Sequence, residues 1–263
     1  MQIISLITDF GLKDNFVGVM KAVILKINPK AQIVDICHEI KPQDILGAAF
    51  LLKSAFKYFP KNTVHLVVVD PGVGSQRKKI IVRTKNYYFV GPDNGVLSLS
   101  LKDEPPVEIM EISNQKYFLK PISDTFHGRD IFAPISAYIL KGKDIRKFGK
   151  RIKSIQRLNL SRVKMTSKSL SGEIIYIDRF GNLVTNIDKD IFSRVTKNKK
   201  FKISIKDKVI YRLSQSYTEG GPLKPLALID SFNYLEIALN GGSASDYLKA
   251  EPGTPVTVTT SQI

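Results

Sequence analysis

The amino-acid sequence predicts an α/β protein in two parts: an N-terminal α/β domain with a largely parallel sheet, and a smaller C-terminal all-β barrel domain. Three observations predict it. Over residues 3–70, β-branched apolar runs alternate with stretches whose apolar residues recur at helical spacing, in the order strand, helix, strand, helix, strand. From residue 171 onward the pattern changes to short strands parted by turn residues, the texture of a barrel or sandwich. Between the two lies a basic segment with no strong periodicity. The expected division is residues 1–145, a linker at 146–170, and residues 171–263.

Residues 3–9 form the first strand and end in an acid. Phe10 and Gly11 turn the chain, and Asp14 or Asn15 can cap a helix. That helix carries Phe16, Val17, Met20, Val23, Ile24 and Ile27 at helical spacing, and Pro29 ends it. A second short strand covers 33–36. A second helix, over 42–58, sets Ile45, Ala48, Ala49, Leu52, Ala55 and Phe56 on one side. Residues 64–70 are a β-branched apolar run, the mark of a strand buried on both faces. It stops at Asp70, and Pro71, Gly72 and Gly74 then turn the chain. Residues 80–84 and 87–90 read as a hairpin. Gly91-Pro92-Asp93-Asn94-Gly95 follows, either a tight turn or a ligand-facing loop. A helix continuing to Leu140 has Pro134 in its first turn. In the C-terminal part, strands are expected at 172–178, 183–187, 201–205, 209–213, 225–229, 234–239 and 255–260, with short helical pieces near 190–195 and 244–248.

A chain of 263 residues can bury a sizeable core, and 43% hydrophobic with 24% charged residues is the make-up of an ordinary globular protein. The single cysteine, Cys37, excludes an internal disulfide and suits a reducing compartment. No basic leader precedes the first strand, and no apolar run approaches the roughly 20 residues of a membrane span. A cytoplasmic protein with no membrane partner is therefore expected. The net charge is +16, densest between Arg146 and Lys168, where nine Lys/Arg occur with no acid. Phe148 is the one aromatic there, so the stacking platform of a single-strand binder is missing. This reads as a solvated basic face, and nucleic acid is not an expected partner.

Several strand ends and turns carry acids: Asp9, Asp70 and Asp178, with Asp14, Asp93 and Asp124 nearby. Such acids can hold Mg²⁺, accept from ribose hydroxyls, or simply cap turns. The usual nucleotide-phosphate cradles, GxGxxG after the first strand and GxxxxGK[ST], are absent, as are HExxH, CxxC and GxSxG. The three histidines lack zinc-like spacing, so no metal site is expected. His65 lies inside the buried strand and reads as structural, and His38 reads either way. His127 sits in a helix-entry loop beside a charged cluster.

Five segments, taken in order, resemble one family: Thr8-Asp9-Phe10-Gly11; Val69-Asp70-Pro71-Gly72-Val73-Gly74; Gly91-Pro92-Asp93-Asn94-Gly95; Phe126-His127-Gly128-Arg129-Asp130-Ile131-Phe132-Ala133-Pro134; and Asp178-Arg179-Phe180-Gly181-Asn182. They are similar to the S-adenosylmethionine (SAM) hydroxide adenosyltransferases, hydrolase relatives of the SAM-dependent fluorinase and chlorinase. The resemblance runs from Thr8 to Ala244. It implies an α/β domain joined to a β-barrel, and a homotrimer with its active site between one subunit's N-terminal domain and a neighbour's C-terminal domain. It also implies hydrolysis of SAM to adenosine and L-methionine, with SAM as substrate and no cofactor. The alternatives are a SAM- or adenosine-binding sensor with little turnover, or a SAM-dependent halogenase.

The family's Asp/Arg/His set falls on Asp70, Arg77 and His127. Halogenating relatives have an uncharged or aromatic residue where Asp70 stands, so an acid there points to water rather than halide. By the same resemblance Asp9 would accept from the ribose diol, and Asp14 and Asp178 would face the methionine ammonium. Asn182 would lie near the adenosine and Tyr217 would stack on adenine. Ser231 would contact the methionine end, and Leu239, Asn240 and Gly241 would border the adenine. Glu236 lies between these and is expected to face the same pocket. Phe232 stands where the fluorinase has a carboxylate-gripping arginine. The leaving group of a sulfonium is a neutral thioether, so no general acid is needed. The reaction needs a water in line with the C5′–S bond and a group to take its proton.

Overall fold

The computed structural model describes residues 2–159 and 161–261. The chain divides into two compact units, Met1–Leu158 and Asn159–Ile263.

The first unit runs β1 (Ile3–Thr8), α1 (Phe16–Ile27), β2 (Gln32–Cys37), α2 (Ile45–Ala55), β3 (Val64–Val68), β4 (Lys79–Arg83), β5 (Tyr88–Pro92), α3 (Ser100–Asp103), β6 (Glu108–Ile112), α4 (Ala133–Leu140) and β7 (Gly149–Arg151). One seven-stranded sheet has the order β2-β1-β3-β5-β4-β6-β7. Strands β2, β1, β3 and β5 are parallel, while β4, β6 and β7 join antiparallel. The expected α/β class with a largely parallel sheet is what the chain forms. Strand β3 is buried throughout, as its unbroken apolar run requires. Leu66 and Val68 pack into one cluster with residues of α1 and α4, and Val67 and Val69 into another with residues of α2. Register pairs Thr8 with Val68, so Asp9 and Asp70 leave the sheet at the same carboxyl edge, where ligands bind in open α/β sheets.

Boundaries moved where caps or partners decided them. The second helix starts at Ile45, not Pro42, because the Asp44 carboxylate accepts from Gly47 N–H at 2.8 Å and caps it. Neither Asp14 nor Asn15 caps α1 through its side chain; Asn15 occupies the cap position with no side-chain bond. Strands β6 and β7 have no strong sequence signal. The first is interrupted by Glu108 and Glu111, and the second is Gly-Lys-Arg, held by backbone pairing to β6 with a Lys150–Glu111 ion pair at 3.6 Å beside it. Gly149 permits that pairing: a Cβ there would meet Glu111 O at 1.9 Å. Of residues 146–170, 149–151 thus belong to the N-terminal sheet, while Lys164–Met165 and Ser169–Ile177 are strands of the second unit.

His65 sits among the rings of Phe56, Phe59, Tyr87 and Phe89, at centroid distances of 5.0–6.2 Å, with Ser5 Oγ 2.7 Å from Nδ1. Burial pushes its pKa down to about 3. The folded value lies below the unfolded one. Its contribution to stability is therefore complete above the unfolded pKa and drains away as pH falls toward the folded one. Between pH 6.5 and 5 this residue alone removes about 2 kcal/mol of unfolding free energy. Urea midpoints measured across that window check the slope, which His65→Leu flattens.

The second unit runs β8 (Lys164–Met165), β9 (Ser169–Ile177), β10 (Leu183–Asp188), α5 (Lys189–Thr196), β11 (Lys200–Ile205), β12 (Lys208–Ile210), β13 (Pro225–Ile229), β14 (Tyr234–Leu239), α6 (Ala244–Leu248) and β15 (Pro255–Ser261). All strands pair antiparallel in the order β12-β11-β15-β9-β10-β14-β13, with β8 on β9, a nearly closed barrel-like sheet. The strand expected at 209–213 ends at Ile210; Leu213 makes only an isolated bridge to Ala227. Along β14, Leu235, Ile237 and Leu239 enter the barrel core. Glu236 and Ala238 fall on the other face by the two-residue period of a strand. Among the described residues no helix is long and apolar enough to cross a membrane.

Candidate active site

The turn after β3 folds in two steps. Val73 N–H donates to Asp70 O at 3.1 Å and Ser75 N–H to Gly72 O at 3.1 Å. Ser75 Oγ accepts from Arg77 N–H at 3.2 Å, which reverses the chain and returns Arg77 to Asp70. Arg77 Nε donates to Asp70 Oδ1 at 2.6 Å, and Nη2 donates to Oδ2. The same Nη2 lies 2.9 Å from His127 Nδ1. The paired side chains are 8% and 6% exposed, and the guanidinium sits over the Phe132 ring at 5.6 Å. Arg77 Nη1 is buried with no partner in the protein. The three residues expected to work together are therefore in contact, although His127 lies 50 positions from Arg77 in sequence.

Arginine has donors only, so the nitrogen it faces must be the acceptor. That assigns the proton of neutral His127 to Nε2. Burial lowers the pKa of His127, and the Arg77 and Lys79 cations lower it further, against Asp70 and Asp124. The imidazole is thus neutral at neutral pH, a donor at Nε2.

Gly74 brings the two loops together. Its φ is +79°, and a Cβ would meet Asp124 O at 2.6 Å. Gly74→Ala is expected to push the 124–127 segment outward and lower kcat about tenfold or more, since misplacement by about 1 Å costs up to about 100-fold. Steady-state kinetics with a melting curve separate this from unfolding.

The Gly91-Pro92-Asp93-Asn94-Gly95 cluster is a buried brace. Asn94 Nδ2 donates to Val69 O at 2.9 Å, directly before Asp70, and Asp93 Oδ1 accepts from Gln156 N–H at 2.7 Å. The density of turn residues marks this loop in the sequence, but nothing local shows that it supports Asp70. A second support lies under Asp9. Thr8 Oγ1 accepts from Phe10 N–H and lies 2.8 Å from His38 Nδ1, in hydrogen-bond contact with it. His38 Nε2 lies 3.1 Å from Asp35 Oδ1. His38 is therefore structural, and Asp9 Oδ2 accepts from Gln43 N–H at 2.8 Å. Asp14 is exposed.

In the second unit a cavity of about 520 Å³ is lined by Asp178, Phe180, Asn182, Tyr217, Leu239, Gly241 and Gly242. Five of the expected contact residues lie there. Asp178 also caps its own turn: Oδ1 accepts from Phe180 and Asn182 N–H at 2.8 Å, and Oδ2 from Asn182 Nδ2 at 2.9 Å. Asn240 does not line the cavity; its Nδ2 ties the neighbouring loop by donating to Gly220 O at 2.6 Å. Ser231 stands exposed in the β13–β14 turn, outside the lining. Glu236 is buried behind Tyr217 rather than lining the cavity. A larger cavity of about 970 Å³ in the first unit, beside Leu101, Glu108 and Arg157, contains none of the expected residues. Among the described residues no group of three or more His, Cys, Asp or Glu is placed to hold a metal ion.

Comparison with known proteins adds to this geometry. Residues 4–149 match the model of the SAM hydroxide adenosyltransferase N-terminal domain, and residues 172–257 that of the C-terminal domain. The (R)-S-adenosyl-L-methionine hydrolase of Methanocaldococcus jannaschii is 38% identical over 95% of this chain and 93% of its own length. A fluorinase from Actinopolyspora mzabensis is 25% identical over 98% and 97%. The crystal structure of a conserved protein from Thermotoga maritima superposes with a TM-score of 0.91 at 38% identity, covering 97% of this chain and 99% of that one.

Proposed function

The chain belongs to the SAM hydroxide adenosyltransferase family, and from that premise we propose that it hydrolyses S-adenosyl-L-methionine to adenosine and L-methionine. The observation that carries the reading is the buried Asp70–Arg77–His127 cluster. A water held there receives a hydrogen bond from His127 Nε2–H and donates one to the Asp70 carboxylate. Its oxygen attacks C5′ in line with the C5′–S bond, whose electron pair leaves on sulfur as the neutral thioether of methionine. The proton lost from the water passes to Asp70 and then to solvent. Because His127 Nδ1 accepts from Arg77 and Nε2 already carries hydrogen, His127 orients and Asp70 accepts. Arg77 holds both partners, and its free Nη1–H groups favour developing hydroxide charge.

A carboxylate at this position repels halide, which argues against the halogenase alternative. The acids Asp9, Asp14 and Asp178 complement a substrate bearing a sulfonium and an ammonium, and Asn182, Tyr217, Leu239 and Gly241 suit a nucleoside. We place the complete site between the N-terminal unit of one subunit and the C-terminal unit of the next in a cytoplasmic homotrimer. Co-expressing Asp70→Ala with Tyr217→Ala chains tests this: mixed trimers regain part of the activity, and a protein of monomer mass by light scattering overturns it.

Incubating the purified protein with SAM and separating the nucleosides by chromatography tests the reaction. Adenosine and methionine are expected in equal amounts, unchanged by EDTA, with no 5′-chloro-5′-deoxyadenosine in chloride buffer. Absence of adenosine, or a chlorinated nucleoside, sinks the proposal.

A further inference from the structure

Glu236 is 3% exposed, on a central strand between β10 and β13, opposite Val184 and Leu228. Its strand parity turns it away from the barrel core toward Leu226, Leu228 and Ala238, a small separate apolar cluster. Among the described residues it forms no salt bridge with a Lys, Arg or His, and its bonded partner is the Tyr217 hydroxyl, which donates to Oε1 at 2.9 Å. Tyr217 is 45% exposed and belongs to a single short turn, Tyr217–Glu219, whose own backbone bonds are long, at 3.3–3.4 Å. The phenol is thus tied to a rigid strand by its hydroxyl, while its ring forms part of the cavity wall with Asp178 and Asn182.

We propose that Glu236 is a positioning residue: its buried carboxylate fixes the Tyr217 ring in the nucleoside cavity and places a negative charge behind it that favours cationic SAM over neutral adenosine. This rests on the SAM hydrolase reading above. The charged and titratable groups facing Glu236 are Tyr217 on the covering turn, Asp230 in the β13–β14 turn and Asp178 after β9; β10 and β13 present apolar Val184 and Leu228. Burial pushes its pKa up to about 7, with Asp230 and Asp178 adding to the rise and the Tyr217 bond opposing it. Above that value the carboxylate is ionised, grips the phenol more strongly and attracts the sulfonium. Below it both effects weaken.

Five proteins separate the contributions: the native enzyme, Glu236→Gln, Glu236→Leu, Tyr217→Phe and the Glu236→Leu/Tyr217→Phe double variant. Each is assayed for KM and kcat with SAM and for adenosine affinity by calorimetry, at about pH 6 and about pH 8. In the native enzyme KM for SAM falls with rising pH while adenosine affinity changes less. Glu236→Gln, which keeps an acceptor for the phenol, loses the pH dependence of KM. Glu236→Leu and Tyr217→Phe each raise KM about fivefold or more with kcat little changed, and the double variant is no worse than Glu236→Leu, because both share the loss of one bond. Native pH dependence of KM in Glu236→Gln, or native adenosine affinity in both Glu236→Leu and Tyr217→Phe, overturns the proposal. Glu236-dependent adenosine binding in a protein that releases no adenosine from SAM overturns the hydrolase reading and supports the positioning role.

Discussion

Arg77→Ala is expected to lower kcat for SAM hydrolysis by about 100- to 1,000-fold, the scale of losing one preorganised donor to developing charge. The same change lowers stability by about 3–5 kcal/mol, because it leaves the Asp70 carboxylate buried without its cation. Arg77 does two things at once. Its Nε and Nη2 fork grips both oxygens of Asp70, and Nη2 also faces His127 Nδ1. Arg77→Lys keeps the charge but has no planar fork, so it restores part of the stability and little of the turnover. Single-turnover rates and urea unfolding of both variants provide the check. Near-native turnover in Arg77→Ala removes the cluster from the mechanism.

His127→Ala is expected to cost a similar factor in kcat with a smaller change in KM, since in the proposed reaction Nε2–H contacts the water and not the nucleoside. Its pH signature is more specific. Burial and the Arg77 and Lys79 cations hold the His127 pKa below the ordinary value, so the neutral imidazole persists to lower pH than in a free histidine. Protonation adds a hydrogen at Nδ1, where Arg77 already points one, and sets two cations against each other. Native kcat therefore falls on an acid limb that lies below the ordinary histidine range. In Arg77→Met the limb moves to higher pH, because a repelling cation is gone while Asp70 remains. An acid limb unmoved by Arg77→Met contradicts the contact between the two side chains.

Much of this was legible in the residue order. The unbroken apolar run of β3 required a strand buried on both faces, and the helical spacing in α1 required one buried side. The abrupt stop at Asp70, followed by Pro and two Gly, required a displayed acid in a tight turn. The resemblance brought together the Asp, Arg and His. Less visible were elements whose shape comes from a neighbour. Strand β7 has no apolar residue and exists through its bonds to β6. His38 was ambiguous because its partners, Thr8 and Asp35, lie on two other stretches of chain.

The sequence by itself determined what is local: the alternation of elements, the buried third strand, the Gly/Pro turn that carries Asp70, and family membership. The tertiary structure decided which distant groups meet. The placement of Arg77 Nη2 against His127 Nδ1, and hence the tautomer that makes His127 a donor, depends on packing between segments 50 residues apart. Glu236, expected at the pocket, is likewise buried and bonded to the Tyr217 hydroxyl, because strand parity and the covering turn, not residue type, set what its carboxylate faces. Local propensity acts over a few residues, whereas a hydrogen bond across loops is fixed by how whole elements pack.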